Sequence, residues 1–230
     1  IGVHESKLVG NQLMDGSYPE VNFDPAPSLI SDARYKVSFY GTDRAGNKAS
    51  FELGIVYFDD APPILTGVFP NSNSFINLDE IEYAVNEPLL SGDIKWTPSD
   101  GAPSIDISLT GKELDPGTFT RSRLTNQKDL IDGNIYNLII TADDRAGNSS
   151  TTVLAENITF DKTKPKFTEV NPTTSARINS QLINWTVNEE LISGKYTWIH
   201  MGGTDDPAAP HTFDLTQDIL KAGSFDNSTL

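Results

Sequence analysis

Short runs in which apolar and polar positions alternate every second residue recur along this chain, separated by Gly, Pro, Asn and Asp. Ile81, Tyr83 and Val85 fall on one face of the stretch from Glu80 to Val85, and Ile94 and Trp96 on one face of Asp93 to Thr97. Ile105, Ile107 and Leu109 alternate with polar residues in the same way. A period of two marks a strand with one buried side, because successive side chains point to opposite faces. Ile64 to Phe69, after Pro62-Pro63, predicts a first strand and Thr118 to Leu124 a weaker one. Tyr136 to Ala142 predicts a buried strand through Leu138, Ile139 and Ile140, and Thr151 to Phe160 a last one. Blocks of Ala, Leu, Lys and Glu at helical spacing do not occur.

The pattern repeats. Asp43-Arg44-Ala45-Gly46-Asn47 returns as Asp144-Arg145-Ala146-Gly147-Asn148, and Tyr35 as Tyr136, both at a shift of 101. Phe58-Asp59 returns as Phe160-Asp161, and Asn86-Glu87-Pro88-Leu89-Leu90-Ser91-Gly92 as Asn188-Glu189-Glu190-Leu191-Ile192-Ser193-Gly194, at a shift of 102. Trp96 returns as Trp198 at that same shift. A stretch with two leucines, a Gly and an aromatic occurs three times, at Leu8 to Tyr18, Leu109 to Phe119 and Leu215 to Phe225. The last copy follows an insertion around Gly202 to Asp206. Repeats of this length predict stacked modules. We read residues 1–61 as the back part of one unit, 62–162 as a whole unit and 163–230 as the front part of another. The end pieces are incomplete as sandwiches, so the chain is expected to belong to a longer protein.

Seven short strands in about 100 residues, punctuated by turn residues, predict an all-β fold of tandem immunoglobulin- or fibronectin-III-like β-sandwiches. Two details point the same way. Leu130 to Tyr136 has the form of a tyrosine corner, and Leu29 to Tyr35 stands in the same place one unit earlier. Trp96 and Trp198 fall on the third strand, where such sandwiches bury a Trp between their sheets; burying a large aromatic contributes about 2–3 kcal/mol.

Composition narrows the function classes. The formal net charge is −15, from 32 acidic and 17 basic residues, which repels a nucleic-acid backbone and favours hard cations. There is no cysteine, which excludes disulfides and thiolate metal sites. No apolar run approaches the ~20 residues of a membrane span.

In their order along the chain, these motifs resemble the bacterial immunoglobulin-like tandem repeats of large extracellular surface and adhesin proteins. The resemblance rests on Asn86 to Gly92, Trp96-Thr97, Leu109 to Gly117, Asp132 to Tyr136, Asp144 to Asn148 and the linker Phe160 to Pro165. It covers nearly the whole chain, and it implies an extended extracellular array without naming a ligand. The first unit departs from the pattern at Ala33, where a Gly is usual, which predicts a slightly different corner there.

Calcium is the metal these residues suit, since it takes six to eight oxygens from carboxylates, amides and carbonyls. The recurring oxygen donors are Asp43 and Asn47 with Asp144 and Asn148 in the hairpin motif, Glu87 and Glu189 after the second strand, and Asp59 and Asp161 at the unit junctions. In a sandwich the hairpin between strands six and seven shares one end with the loop between strands two and three. Glu87 is therefore expected to meet Asp144, with Asp143 and Asn148 adding ligands. Asp59 and Asp161 are expected to cap the Pro-bearing linkers or to bind a junction ion. The competing reading is that all of these acids cap turns.

Catalysis finds little support. His4, His200 and His211 are the only histidines, and residues 62–162 hold none, so no Ser-His-Asp set can form there. A tandem copy of Asp143-Asp144 or Glu189-Glu190 as glycosidase acids is also foreign to enzymes, which rarely repeat an active site. Trp185, which replaces Tyr83 in the next copy, is expected to pack in the core. Lys95 becomes Thr197 one unit on, which makes it a poor isopeptide donor. Sequons at Asn148, Asn157, Asn184 and Asn227 are incidental in a bacterial protein.

The leading expectation is a structural spacer or stalk at the cell surface, its partners being neighbouring repeats of the same protein. An adhesin whose loops bind a cell-surface or glycan ligand is the second, with the insertion from Gly202 to Pro210 as its best loop. The third is a self-assembling filament, a homo-polymer that completes its sandwiches between chains.

Overall fold

A computed structural model describes residues 2–19, 21 and 26–226; the sequon at Asn227 lies outside the described residues. The chain divides into two compact units, Ile1–Lys162 and Thr163–Leu230. In the first, β1 (Ala33–Thr42) and β2 (Lys48–Phe58) pair antiparallel as a two-stranded sheet of their own. Eight strands follow: β3 (Leu65–Phe69), β4 (Phe75–Ile76), β5 (Ile81–Val85), β6 (Leu89–Pro98), β7 (Ile105–Ser108), β8 (Gly117–Ser122), β9 (Ile135–Asp144) and β10 (Ser149–Phe160). They form one sheet in the order β3-β5-β8 and another in the order β4-β10-β9-β6-β7. The chain changes sheet between β5 and β6 and returns between β7 and β8, which is the layout of an immunoglobulin-like β-sandwich.

Sequence alternation explains the core. Ile81, Tyr83 and Val85 from β5 meet Ile94 and Trp96 from β6 and Tyr136, Leu138 and Ile140 from β9, all buried. Trp96 and Tyr136 meet edge to face with ring centroids 6.0 Å apart. Ile139, expected inside, is only half-buried, because β9 alternates and has one core face rather than two. The expected seven strands number eight here. The extra one, β4, pairs parallel with the end of β10, and two residues carry no period by which a sequence could show it.

The core is also polar where it must be. The Tyr83 hydroxyl donates to the Glu113 carbonyl at 2.6 Å. The Glu113 carboxylate, 3% exposed, accepts the backbone N–H of Thr110 at 2.7 Å and of Thr125 at 2.6 Å. Both carboxylate oxygens of this buried acid thus accept a hydrogen bond, which offsets its desolvation.

Both tyrosine corners are present. The Ile131 N–H donates to the Tyr136 hydroxyl at 2.9 Å and the Ile30 N–H to the Tyr35 hydroxyl at 2.8 Å. The expected difference at Ala33 is corrected by this geometry: three residues before the tyrosine stand Gly133 and Asp32, with φ of 81° and 64°. Asp32 therefore occupies the left-handed position, and an Asp tolerates it well enough to leave the corner unchanged.

The second unit contains β11 (Phe167–Asn171), β12 (Asn184–Val187), β13 (Lys195–Trp198), β14 (His211–Asp214) and β15 (Gly223–Phe225). Its sheets, β11-β12-β15 and β13-β14, repeat β3-β5-β8 and β6-β7 of the first unit. Trp185 is 6% exposed in its small core, beside Val187, Leu191, Leu215 and Phe225, as expected from the sequence. Among the described residues no helix is long and apolar enough to cross a membrane.

Candidate metal centre

Asp144 ends β9, and the four residues after it turn the chain into β10. Its Oδ1 accepts the backbone N–H groups of Ala146, Gly147 and Asn148 at 2.8, 2.7 and 2.9 Å, and its Oδ2 accepts the Asn148 side-chain amide at 2.8 Å. Gly147 holds φ of +94°, a conformation that favours glycine. Asp43 builds the same turn, accepting Ala45 N–H and Asn47 N–H at 2.8 Å each and the Asn47 amide at 2.7 Å. Turn capping is therefore a role of this motif in both copies. The copies differ in their surroundings: Asp43 is exposed, whereas Asp144 is 0% exposed.

Two other acids stand over Asp144. Glu87 lies in the turn from β5 to β6, where the Asn86 side chain accepts the Ile64 N–H at 2.7 Å and so fixes the loop. Asp59 follows β2 directly, and its Oδ1 accepts the Ser31 hydroxyl at 2.8 Å and the Ala61 N–H at 3.1 Å. One carboxylate oxygen from each of Asp59, Glu87 and Asp144 lies within 4.8 Å of the others. Oxygens that share one calcium at about 2.4 Å can lie no more than about 4.8 Å apart, so the spacing fits that ion. Two ionised carboxylates at this separation repel by about 3 kcal/mol at an effective dielectric of 20.

The charges respond to that repulsion. Burial, then the charges of Asp59 and Asp144, push the Glu87 carboxyl above its ordinary value, and Asp32 adds to the effect. Burial pushes Asp144 upward too, but its hydrogen bonds from Asn148, Ala146 and Gly147 together outweigh burial and hold its carboxyl low. The cluster thus pairs one carboxyl held below its ordinary value with one pushed above it, and a cation beside both would favour their ionised forms.

The remaining expected ligands fall elsewhere. Asp143 does not join Asp144, since neighbours on a strand point to opposite faces. It accepts the hydroxyls of Ser149 at 2.5 Å and Ser91 at 2.9 Å, which lower its carboxyl. Asn148 sits beside the cluster, where its amide donates to Asp144 and to the Asp59 carbonyl. Asp43, Asn47, Asp161 and Glu189 are not part of the cluster. Glu189 repeats the local setting of Glu87, with Asn188 accepting the Lys166 N–H at 2.6 Å. Asp32 escaped the sequence reading because its counterpart is Gly133, so repetition did not mark it. His200 and His211 lie around the insertion, His211 2.8 Å from the Asp206 carboxylate, and His4 meets the Tyr35 ring edge-on.

No family model matches the chain, and no curated protein matches it. Among solved structures it is similar to the FN1–FN3 domains of chicken CNTN1, with 12% identity, 86% of this chain and 67% of that one covered, and a TM-score of 0.35. It is also similar to a tetra-tandem repeat in the extending region of a large adhesion protein, with 17% identity, 86% of this chain and 48% of that one covered, and a TM-score of 0.31. Likeness at this level adds nothing to the β-sandwich architecture that the strand order already establishes.

Proposed function

We propose that this chain is a stretch of a tandem immunoglobulin-like array that serves as a spacer or stalk of an extracellular surface protein, with calcium tying one unit to the next. The observation that carries this reading is the meeting of Asp59 with Glu87 and Asp144. Asp59 belongs to the exit of β2, before the complete sandwich begins, and the other two acids belong to that sandwich. An ion held by all three removes their mutual repulsion and restrains the linker between them. Calcium suits the set better than magnesium, which demands near-ideal octahedral geometry and keeps several waters. The chemistry is structural, and the reading includes no catalytic step.

Thermal unfolding of the 230-residue chain in calcium, in magnesium and in chelator tests it. A ligand at a hundred times its Kd adds about 2.7 kcal/mol. The melting temperature should rise in calcium, and Glu87→Gln should abolish most of the rise. Equal melting temperatures in calcium and chelator would leave turn capping as the whole role of these acids.

Adhesion is the second reading, and the loop between β13 and β14 favours it. Ile199, 67% exposed, and Met201, 91% exposed, stand two residues apart on this inserted loop, where apolar side chains are open to a partner. Cell or glycan binding by the chain that is lost on Met201→Ser would support this role for the loop.

A further inference from the structure

The five-stranded sheet of the complete sandwich has β4 at one edge and β7 at the other. β4 spans only Phe75–Ile76, whereas β7 runs from Ile105 to Ser108. The ladder to β6 fixes which groups of β7 point outward. The Leu109 N–H donates to the Gly92 carbonyl at 2.8 Å, and Ile107 and Ile105, opposite Ile94 and Trp96, continue that phase. Bonded and unbonded pairs alternate along an antiparallel ladder, so Asp106 and Ser108 turn their N–H and C=O groups away from the sheet. Those are the groups that a further strand would use, and a bare edge of this kind recruits strands from other molecules. Here both outward carbonyls are occupied. The Asn126 side-chain amide donates to the Ser108 carbonyl at 3.0 Å, and the Lys128 ammonium to the Asp106 carbonyl at 2.8 Å. Donors and acceptors are both alternate residues, so one segment covers the length of the strand.

We propose that residues 123–130 form a strap whose Asn126 and Lys128 side chains shield the β7 edge from strand addition by a second copy of this chain. The strap is anchored at several points. Leu124 and Leu130 are buried in the core, 3% and 5% exposed. The Glu113 carboxylate accepts the Thr125 N–H at 2.6 Å, and the Gln127 N–H closes a turn on the Leu124 carbonyl at 3.2 Å. Arg123 bridges Asp79 at 3.0 Å and Asp129 at 2.8 Å. These contacts hold the backbone, and the exposed residues Asn126 and Lys128 reach from it to the strand. Glu113, a buried acid, thus anchors the segment that covers an exposed edge. Without the shield, two β7 edges would meet antiparallel about a two-fold axis, Asp106 of one copy opposite Ser108 of the other, with no like charges directly opposed. Main-chain hydrogen bonds would supply the affinity. A stalk of like repeats holds such edges close together, which raises their effective concentration.

Sedimentation velocity of the 230-residue chain and of its Asn126→Ala/Lys128→Ala variant, from micromolar to millimolar concentration, tests this. Chelator is present throughout, so the outcome is separate from that of the calcium reading. Both side chains are exposed, and the variant should melt as the native chain does. Its association constant should exceed that of the native chain about tenfold or more. Amide exchange at Asp106 and Ser108 should slow as the variant is concentrated, because those N–H groups enter the new pairing. Adding Asp106→Pro removes an outward N–H without touching the ladder to β6, and it should return association to the native level. Three results would overturn the proposal. One is an association constant equal to that of the native chain. Another is a rise that leaves both amides exchanging at the same rate at every concentration. The third is a rise undiminished by Asp106→Pro in a chain of unchanged melting temperature.

Discussion

The side-chain amide of Asn148 donates to the backbone carbonyl of Asp59 at 3.1 Å, across 89 residues of sequence, while also donating to the Asp144 carboxylate at 2.8 Å. One side chain thus caps the hairpin between β9 and β10 and holds it to the strand exit that precedes the sandwich. A direct contact and a cluster of repelling acids share the same joint, so the joint is held on one side and loaded on the other.

Asn148→Ala should therefore cost about 1.5–3 kcal/mol, since it removes a hydrogen bond to a buried ionised acid. Asn47→Ala deletes the same bond in the exposed copy of the turn and should cost less than about 1 kcal/mol. Urea denaturation of the two variants checks the order. Equal losses would mean that burial of Asp144 adds nothing to its cap.

Glu87→Gln should change the sign of its effect with the ion. A carboxyl raised by folding stabilises the protein while protonated; that contribution is complete below the ordinary glutamate value of 4.5 and is lost as pH rises through the higher folded value. In chelator at pH 7 the substitution removes a repelled charge and should raise the melting temperature. In calcium it removes a ligand and should lower it. Asp144 runs the other way: its carboxyl is held low, so its contribution is present above the ordinary value of 3.8 and disappears as pH falls through the lower folded value. Melting curves from pH 3 to pH 7 in both buffers read both effects.

Gly67→Ala should be among the most damaging small substitutions in the sandwich. A Cβ there would sit 2.6 Å from the Leu154 carbonyl oxygen and 3.0 Å from its Cα, both backbone atoms that cannot step aside. A cost of about 2–3 kcal/mol is expected. At Gly92 the one tight approach is to the tip of the Leu109 side chain, at 2.9 Å, while the Thr141 carbonyl oxygen lies at an ordinary 3.5 Å, and a cost below about 1 kcal/mol is expected. Denaturant midpoints of the two variants should differ in that order.

Asp32→Gly should stabilise the chain in chelator by about 0.5–1 kcal/mol, because glycine takes the φ of 64° without strain and a charge beside Glu87 is lost. In calcium the gain should shrink as the ion neutralises the acids. A lower melting temperature in chelator would show that Asp32 contributes a bond the corner needs.

Much of this fold is legible in the pattern of residues. Tyr83, Trp96 and Tyr136 announce the core because a half-buried strand has a period of two and burial follows it. The corner is legible as a spacing, but its position is not: Ala33 looks like the departure and Asp32 is the residue with positive φ. The strand β4 is illegible because its partner is distant in sequence and its length carries no period.

Residue order alone determined the strands, the repeat of about 100 residues and the capping turn that Asp43 and Asp144 share, since these depend on neighbours in the chain. Only tertiary structure decided that Asp144 and not Asp143 faces the joint, that Asp59 joins Glu87 there, and that Asp32 adds its charge. Those meetings depend on which strand edge lies beside which, and a sum over distant segments leaves no local mark in the sequence.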